Sequence, residues 1–73
     1  MDKLLKILSE VRPDVDFKNE TKLIDNGILD SLNIMEIIAE ISDEFDIELS
    51  PADIVPANFN SAESLWAMIQ RLQ

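Results

Sequence analysis

Seventy-three residues make one domain, near the lower end of what folds on a single hydrophobic core, and leave no room for a deep catalytic cleft. The chain has no cysteine and no histidine, which excludes disulfides, thiolate metal sites, and the commonest general base and metal ligand. A net charge of −9 repels nucleic acid and anionic lipid.

The charge is also unevenly placed. Every basic residue lies toward an end: Lys3, Lys6, Arg12, Lys18, Lys22 and Arg71. Between Leu23 and Gln70 stand Asp25, Asp30, Glu36, Glu40, Asp43, Glu44, Asp46, Glu48, Asp53 and Glu63, with no cation among them. Such a field favours protein partners with basic patches, although acidity can equally serve solubility alone. The longest apolar runs span a few residues, far short of the ~20 needed to cross a membrane. The start, Met1-Asp2-Lys3, lacks the basic-then-apolar pattern of a signal peptide. A soluble, cytoplasmic, monomeric single domain over residues 1–73, without nucleic acid or membrane insertion, is the expectation.

Leu4, Ile7, Leu8 and Val11 recur at helical spacing and predict a first helix over about Lys3 to Val11, with Asp2 as its N-cap. Pro13 stops it, because a proline pushes the preceding residue out of helical geometry. Residues 12–30 form a long connection that carries its own apolar anchors: Val15, Phe17, Leu23, Ile24, Ile28 and Leu29. Gly27, the only glycine, predicts a positive-φ turn just before the next helix.

The second helix is predicted over Ser31 to Phe45. At roughly 100° per residue, Ile34, Ile37, Ile38, Ile41 and Phe45 share one apolar arc that should face the core. Leu32, Glu36, Ala39, Glu40 and Asp43 fall opposite, with Met35 at their edge. Ile47 to Leu49 reads as a short extended piece. Ser50 then caps a short helix, Pro51 to Val55, which Pro56 ends. The last helix runs from about Ser61, its cap, to Leu72, with Glu63 in the first turn and Leu65, Trp66, Met68, Ile69 and Leu72 as the buried stripe. The fold class is all-α: a small four-helix bundle of three principal helices plus a short third one, with no strand.

Chemistry has few places to reside. A serine nucleophile needs a nearby base, and this chain offers only carboxylates and a few lysines. The acidic stretch Asp43 to Asp53 lacks the glycine and the terminal glutamate of a calcium loop. The tip of the second helix is different. Asp30 and Ser31 stand where the first backbone N–H groups are unpaired, so a phosphate ester on Ser31 would meet those donors and the positive end of the helix dipole. The competing reading is that Asp30 or Ser31 is simply the N-cap.

The run Leu23-Ile24-Asp25-Asn26-Gly27-Ile28-Leu29-Asp30-Ser31-Leu32 resembles the attachment segment of acyl carrier proteins, in which a glycine shortly precedes an Asp-Ser-Leu. The resemblance continues through the acidic helix to Glu44-Phe45-Asp46-Ile47, through Ile54-Val55-Pro56-Ala57-Asn58-Phe59, and into the last helix; the first helix agrees in length and pattern. It implies a stand-alone acyl or aminoacyl carrier, not an enzyme, with 4'-phosphopantetheine from coenzyme A attached covalently to Ser31. The arm's thiol would hold an acyl group as a thioester for fatty-acid, polyketide, nonribosomal-peptide or D-alanyl-transfer pathways. The implied partners are a phosphopantetheinyl transferase, an acyl- or aminoacyl-adenylate ligase or acyltransferase, and downstream synthases or transferases with basic patches. Asp30 is implied in transferase recognition, and Leu32, Met35, Glu36, Ala39 and Asp43 in docking. Gly27 stands four residues before Ser31, with Ile28 and Leu29 where many fatty-acid carriers have one alanine. Ile-Leu-Asp-Ser is closer to carriers loaded by adenylate-forming ligases, D-alanyl carriers included, and peptidyl carriers usually have histidine where Asp30 stands. The alternative from another class is an unmodified acidic helical module that docks a basic partner.

Overall fold

The computed structural model describes residues 2–73. Helix α1 spans Asp2–Val11, α2 Ser31–Phe45, α3 Pro56–Phe59 and α4 Ala62–Leu72, and a 3-10 turn at Pro51–Asp53 precedes α3. There is no strand among the described residues, so the chain is the small four-helix bundle the periodicity predicts. Helix α1 packs on α2 and on α4, and α3 packs on α4.

One core joins them. Leu4, Ile7 and Leu8 of α1 meet Ile37 and Ile41 of α2, Phe59 of α3, and Ala62, Leu65, Met68 and Ile69 of α4. Fully burying side chains of this size contributes about 1.5–3 kcal/mol each relative to exposure, which is how so short a chain offsets its lost conformational freedom. The rest of the predicted inner arc of α2, Ile34, Ile38 and Phe45, packs half-buried around this centre. Phe45 meets Trp66 edge to face at a centroid distance of 5.8 Å, so Trp66 and Leu72 border the core while Ala62, absent from the predicted stripe, lies inside it.

Two boundaries differ from the sequence reading. Asp2 lies within the first turn of α1, where its carboxylate meets the positive helix end without serving as the cap. The predicted helix from Pro51 to Val55 is instead a single 3-10 turn ending at Asp53, and Pro56 starts a helix rather than ending one. Proline explains the second difference. It forces Val55 into extended geometry (φ −131°, ψ 154°), and its own missing N–H costs nothing at a first helical position. Asp53 holds the turn by accepting from Ser50 N and Oγ at 3.1 and 3.0 Å.

The long connection is built of successive turns without a helix, and it buries Phe17, Leu23 and Leu29 in the common core. Gly27 has φ +67°, as the turn reading expects, and its N–H donates to Ile24 O at 3.0 Å. No described helix is long and apolar enough to cross a membrane.

Candidate functional site

Helix α2 begins where the long connection ends, and its first residue is Ser31. Asp30 is the cap. Its backbone is extended (φ −95°, ψ 178°), its Oδ1 accepts from Asn33 N at 2.8 Å, and its own N–H donates to Asn33 Oδ1 at 3.3 Å. This reciprocal box satisfies two backbone donors at once, as the more familiar serine–glutamate form does. It also decides between the two candidate caps. The Asp30 carboxylate performs the capping, and Ser31 stands exposed at the first helical position with its hydroxyl outside the box.

That placement fits a phosphodiester on the Ser31 oxygen. The oxygen is a primary alcohol on the exterior, it is not consumed by the cap, and the Ser31 and Leu32 N–H groups stand in the turn that lacks intrahelical acceptors. The positive end of the α2 dipole favours a negative charge there. Asp30 is exposed beside it and adds an acidic neighbour to the helix tip.

The outer face of α2 is arranged as its periodicity predicts. Leu32 and Met35 are 68% and 63% exposed, and Glu36, Ala39, Glu40 and Asp43 all face solvent. All five residues expected to dock partners are therefore on one accessible stripe that starts beside Ser31. Glu44, one step round the helix, is paired instead with Lys3 at 2.9 Å.

Other contributors escaped the sequence reading. Ile54 and Val55, at 42% and 37% exposure, extend the apolar surface beside α2 once the segment before Pro56 is seen to be non-helical. With Ile24, Ile34, Pro56 and Phe59 they line an apolar cavity of about 180 Å³. Asn33 was legible in principle, because an Asp followed three residues later by an amide is a capping-box pattern. The reach of Arg12 to α2 and of Asn60 to the long connection was not legible, since those partners are distant in sequence. Asn60 Oδ1 accepts from Ile24 N and Asp25 N at 3.0 and 3.1 Å, and its carbonyl accepts from Leu23 N at 2.9 Å. Arg12 reaches from the end of α1 to Ile28 O at 2.6 Å and Asn33 Oδ1 at 3.2 Å. Hydrogen bonding to Asp14 raises the Arg12 guanidinium above its ordinary value, and the charges of Asp14 and Asp30 act in the same direction.

Comparison with known proteins addresses the same segment. Residues 2–69 match the family model described as a phosphopantetheine attachment site. D-alanyl carrier proteins of Lactococcus lactis, from subsp. cremoris strains MG1363 and SK11 and subsp. lactis strain IL1403, are each 34% identical over 61 residues, which is 84% of this chain and 72% of theirs.

Proposed function

This chain belongs to the phosphopantetheine attachment-site family and is a carrier protein whose cofactor is covalently bound 4'-phosphopantetheine; from that premise we propose that Ser31 is the attachment residue and that the cargo is an acyl or aminoacyl group. The observation that carries the assignment is the division of labour at the tip of α2. Asp30 caps the helix, and the adjacent Ser31 hydroxyl is left exposed and free to be modified. When bound, the phosphopantetheine group supplies a terminal thiol that holds the cargo as a thioester.

The chain's own residues bind and present; they do not catalyse. Ser31 supplies the oxygen of the new phosphodiester as the pyrophosphate link of coenzyme A breaks and adenosine 3',5'-bisphosphate leaves, and with no histidine in the chain its proton passes to a base on the transferase. Asp30 keeps the first turn of α2 closed and gives the transferase an acidic neighbour to recognise. Leu32 and Met35 offer apolar contacts next to the modified residue, while Glu36 and Asp43 offer charge to basic patches, with Ala39 leaving room between them. Exposed charges of this kind speed encounter without making a tight complex, which suits a carrier that must release each partner.

Loading by an adenylate-forming ligase is what the resemblance of Ile28-Leu29-Asp30-Ser31 to carriers of that type implies, and the named relatives make D-alanine the first cargo to test. A cytoplasmic location belongs to this reading, because coenzyme A and ATP, which modification and loading consume, are cytoplasmic. Intact mass after incubation with coenzyme A and a broad-specificity phosphopantetheinyl transferase tests it. One phosphopantetheinyl group is expected on the wild-type chain and none on Ser31→Ala. An unchanged wild-type mass with an active transferase, or a modified Ser31→Ala variant, overturns the assignment; the first of these outcomes favours an unmodified acidic module.

A further inference from the structure

Arg12 uses every edge of its guanidinium. Nε and Nη2 donate to the two carboxylate oxygens of Asp14 at 3.0 and 2.9 Å, a forked pairing. Nη1 donates to Ile28 O at 2.6 Å and to Asn33 Oδ1 at 3.2 Å. The bonds to Ile28 and Asn33 are partly shielded from water, whereas the pairing with Asp14 is exposed. Asn33 Oδ1 therefore accepts from both Arg12 and Asp30 N, and Asn33 N closes the capping box on Asp30. A chain of bonds runs from Asp14 through Arg12 and Asn33 to Asp30, and Ser31 sits inside the loop that this chain closes. Ile28, one residue past the Gly27 turn, is fixed by the same guanidinium.

We infer that Arg12 is a positioning residue for modification of Ser31: it ties the end of α1 to both sides of the attachment serine and holds the first turn of α2 closed for the transferase. The inference rests on Ser31 being the attachment residue. Helix ends fray, and a frayed first turn would leave Ser31 in a mobile loop instead of at a fixed helix tip. A transferase that needs the ordered tip acts only on the competent fraction, so its rate falls with that fraction. The geometry requires arginine. A lysine ammonium is a point charge without the planar fork, so it cannot hold Asp14 with two edges while bonding Ile28 and Asn33 with the third.

The test compares wild type, R12Q, R12K and R71Q in two measurements. Arg71 bonds Asn58 on α3 and stands outside this chain of bonds, so R71Q removes an equal charge elsewhere. In the first measurement, transferase kinetics with coenzyme A, R12Q and R12K should each lose roughly tenfold in kcat/KM, mainly in kcat because the outer face of α2 is intact, and R71Q should match wild type. In the second, hydrogen exchange on the apo chain, the Asn33 and Ile34 amides should exchange about tenfold faster in R12Q and R12K while those of Ile41 and Leu65 hold. Wild-type kinetics in R12Q, full rescue by R12K, or exchange accelerated equally throughout the bundle overturns the inference. If wild type itself is not modified at Ser31, the attachment assignment fails instead, and the exchange data still decide whether Arg12 orders the helix tip.

Discussion

Helix α2 and the connection before it meet at Ser31, but they are held by different physics. In α2 one periodic arc supplies the hold: Ile37 and Ile41 are fully buried, Ile34, Ile38 and Phe45 flank them, and the opposite face is exposed. Residues 12–30 have no period. They are pinned by three buried anchors, Phe17, Leu23 and Leu29, and by polar latches from Arg12 and Asn60. A periodic face distributes its stability over many contacts, whereas a latched loop concentrates it in a few. The first should fail by global unfolding and the second by local loosening around Ser31.

The largest expected effect breaks the helix side of this contrast. Ile41→Ala should cost about 2–5 kcal/mol, because its site is closed on all sides and can relax only partly. Phe45→Ala should cost less, roughly 1–3 kcal/mol, since Phe45 is half-buried and its removal chiefly forfeits the edge-to-face contact with Trp66. Urea unfolding of both variants checks the order. Equal losses would mean that the half-exposed rim of α2 matters as much as its centre.

Asn60→Ala breaks the loop side. It strips the acceptor from Ile24 N, which is part-buried, and from Asp25 N, at a cost of about 1–2 kcal/mol. The accompanying signature should be local: amide shifts and faster exchange between Leu23 and Leu29, with the α1–α4 core unmoved. A uniform loss of protection would show that the connection is not an independent unit.

This contrast also explains what the sequence made legible. The bounds of α2 follow from its apolar period and from Asp30-Ser31, and Ser61 is the cap of α4, its Oγ accepting from Ser64 N at 3.0 Å. Gly27 was readable because one glycine before a helix has few other uses. The segment between the two prolines was misread because Ala52, Ile54 and Val55 are compatible with a helix, and only the restriction on the residue before Pro56 separates the turn from α3. The latches from Arg12 to Ile28 and Asn33 and from Asn60 to Ile24 and Asp25 carried no local signal, since those partners lie 16 to 21 and 35 to 36 residues away.

Leu32→Ala sharpens the comparison at the junction itself. Leu32 is apolar, 68% exposed and adjacent to Ser31, so its truncation should change stability by less than about 0.5 kcal/mol. The expected loss is in docking: modification slowed roughly fivefold to tenfold, corresponding to about 1 kcal/mol of apolar contact with the transferase. Glu36→Lys and Asp43→Lys should slow partner transfer in the same stability-neutral way, and that effect should shrink with added salt. A large loss of stability in Leu32→Ala with normal modification would place this residue in the core and rotate the whole proposed docking stripe.

The smallest effect concerns the outer link of the Arg12 chain of bonds. The hydrogen bond from Arg12 is the first cause that holds the Asp14 carboxyl below its ordinary value of 3.8, and a backbone hydrogen bond adds to it. A depressed folded value means that the ionised form is favoured by folding. The stabilisation is therefore present above the unfolded value, near pH 4, and is lost as pH falls through the lower folded value. Asp14 is exposed, so water screens the pair and the effect on stability is slight. Asp16, Glu20 and Asp30 line the same concavity, so the wild-type protein alone cannot isolate the contribution of Asp14. Asp14→Asn can, because the amide mimics the protonated acid in shape and lacks the charge. The stability difference between wild type and Asp14→Asn should be small and constant from neutral pH to about pH 5, then close toward zero on further acidification. A difference independent of pH would mean that Asp14 holds Arg12 by shape and hydrogen bonding alone, and the fork would still position the guanidinium when uncharged.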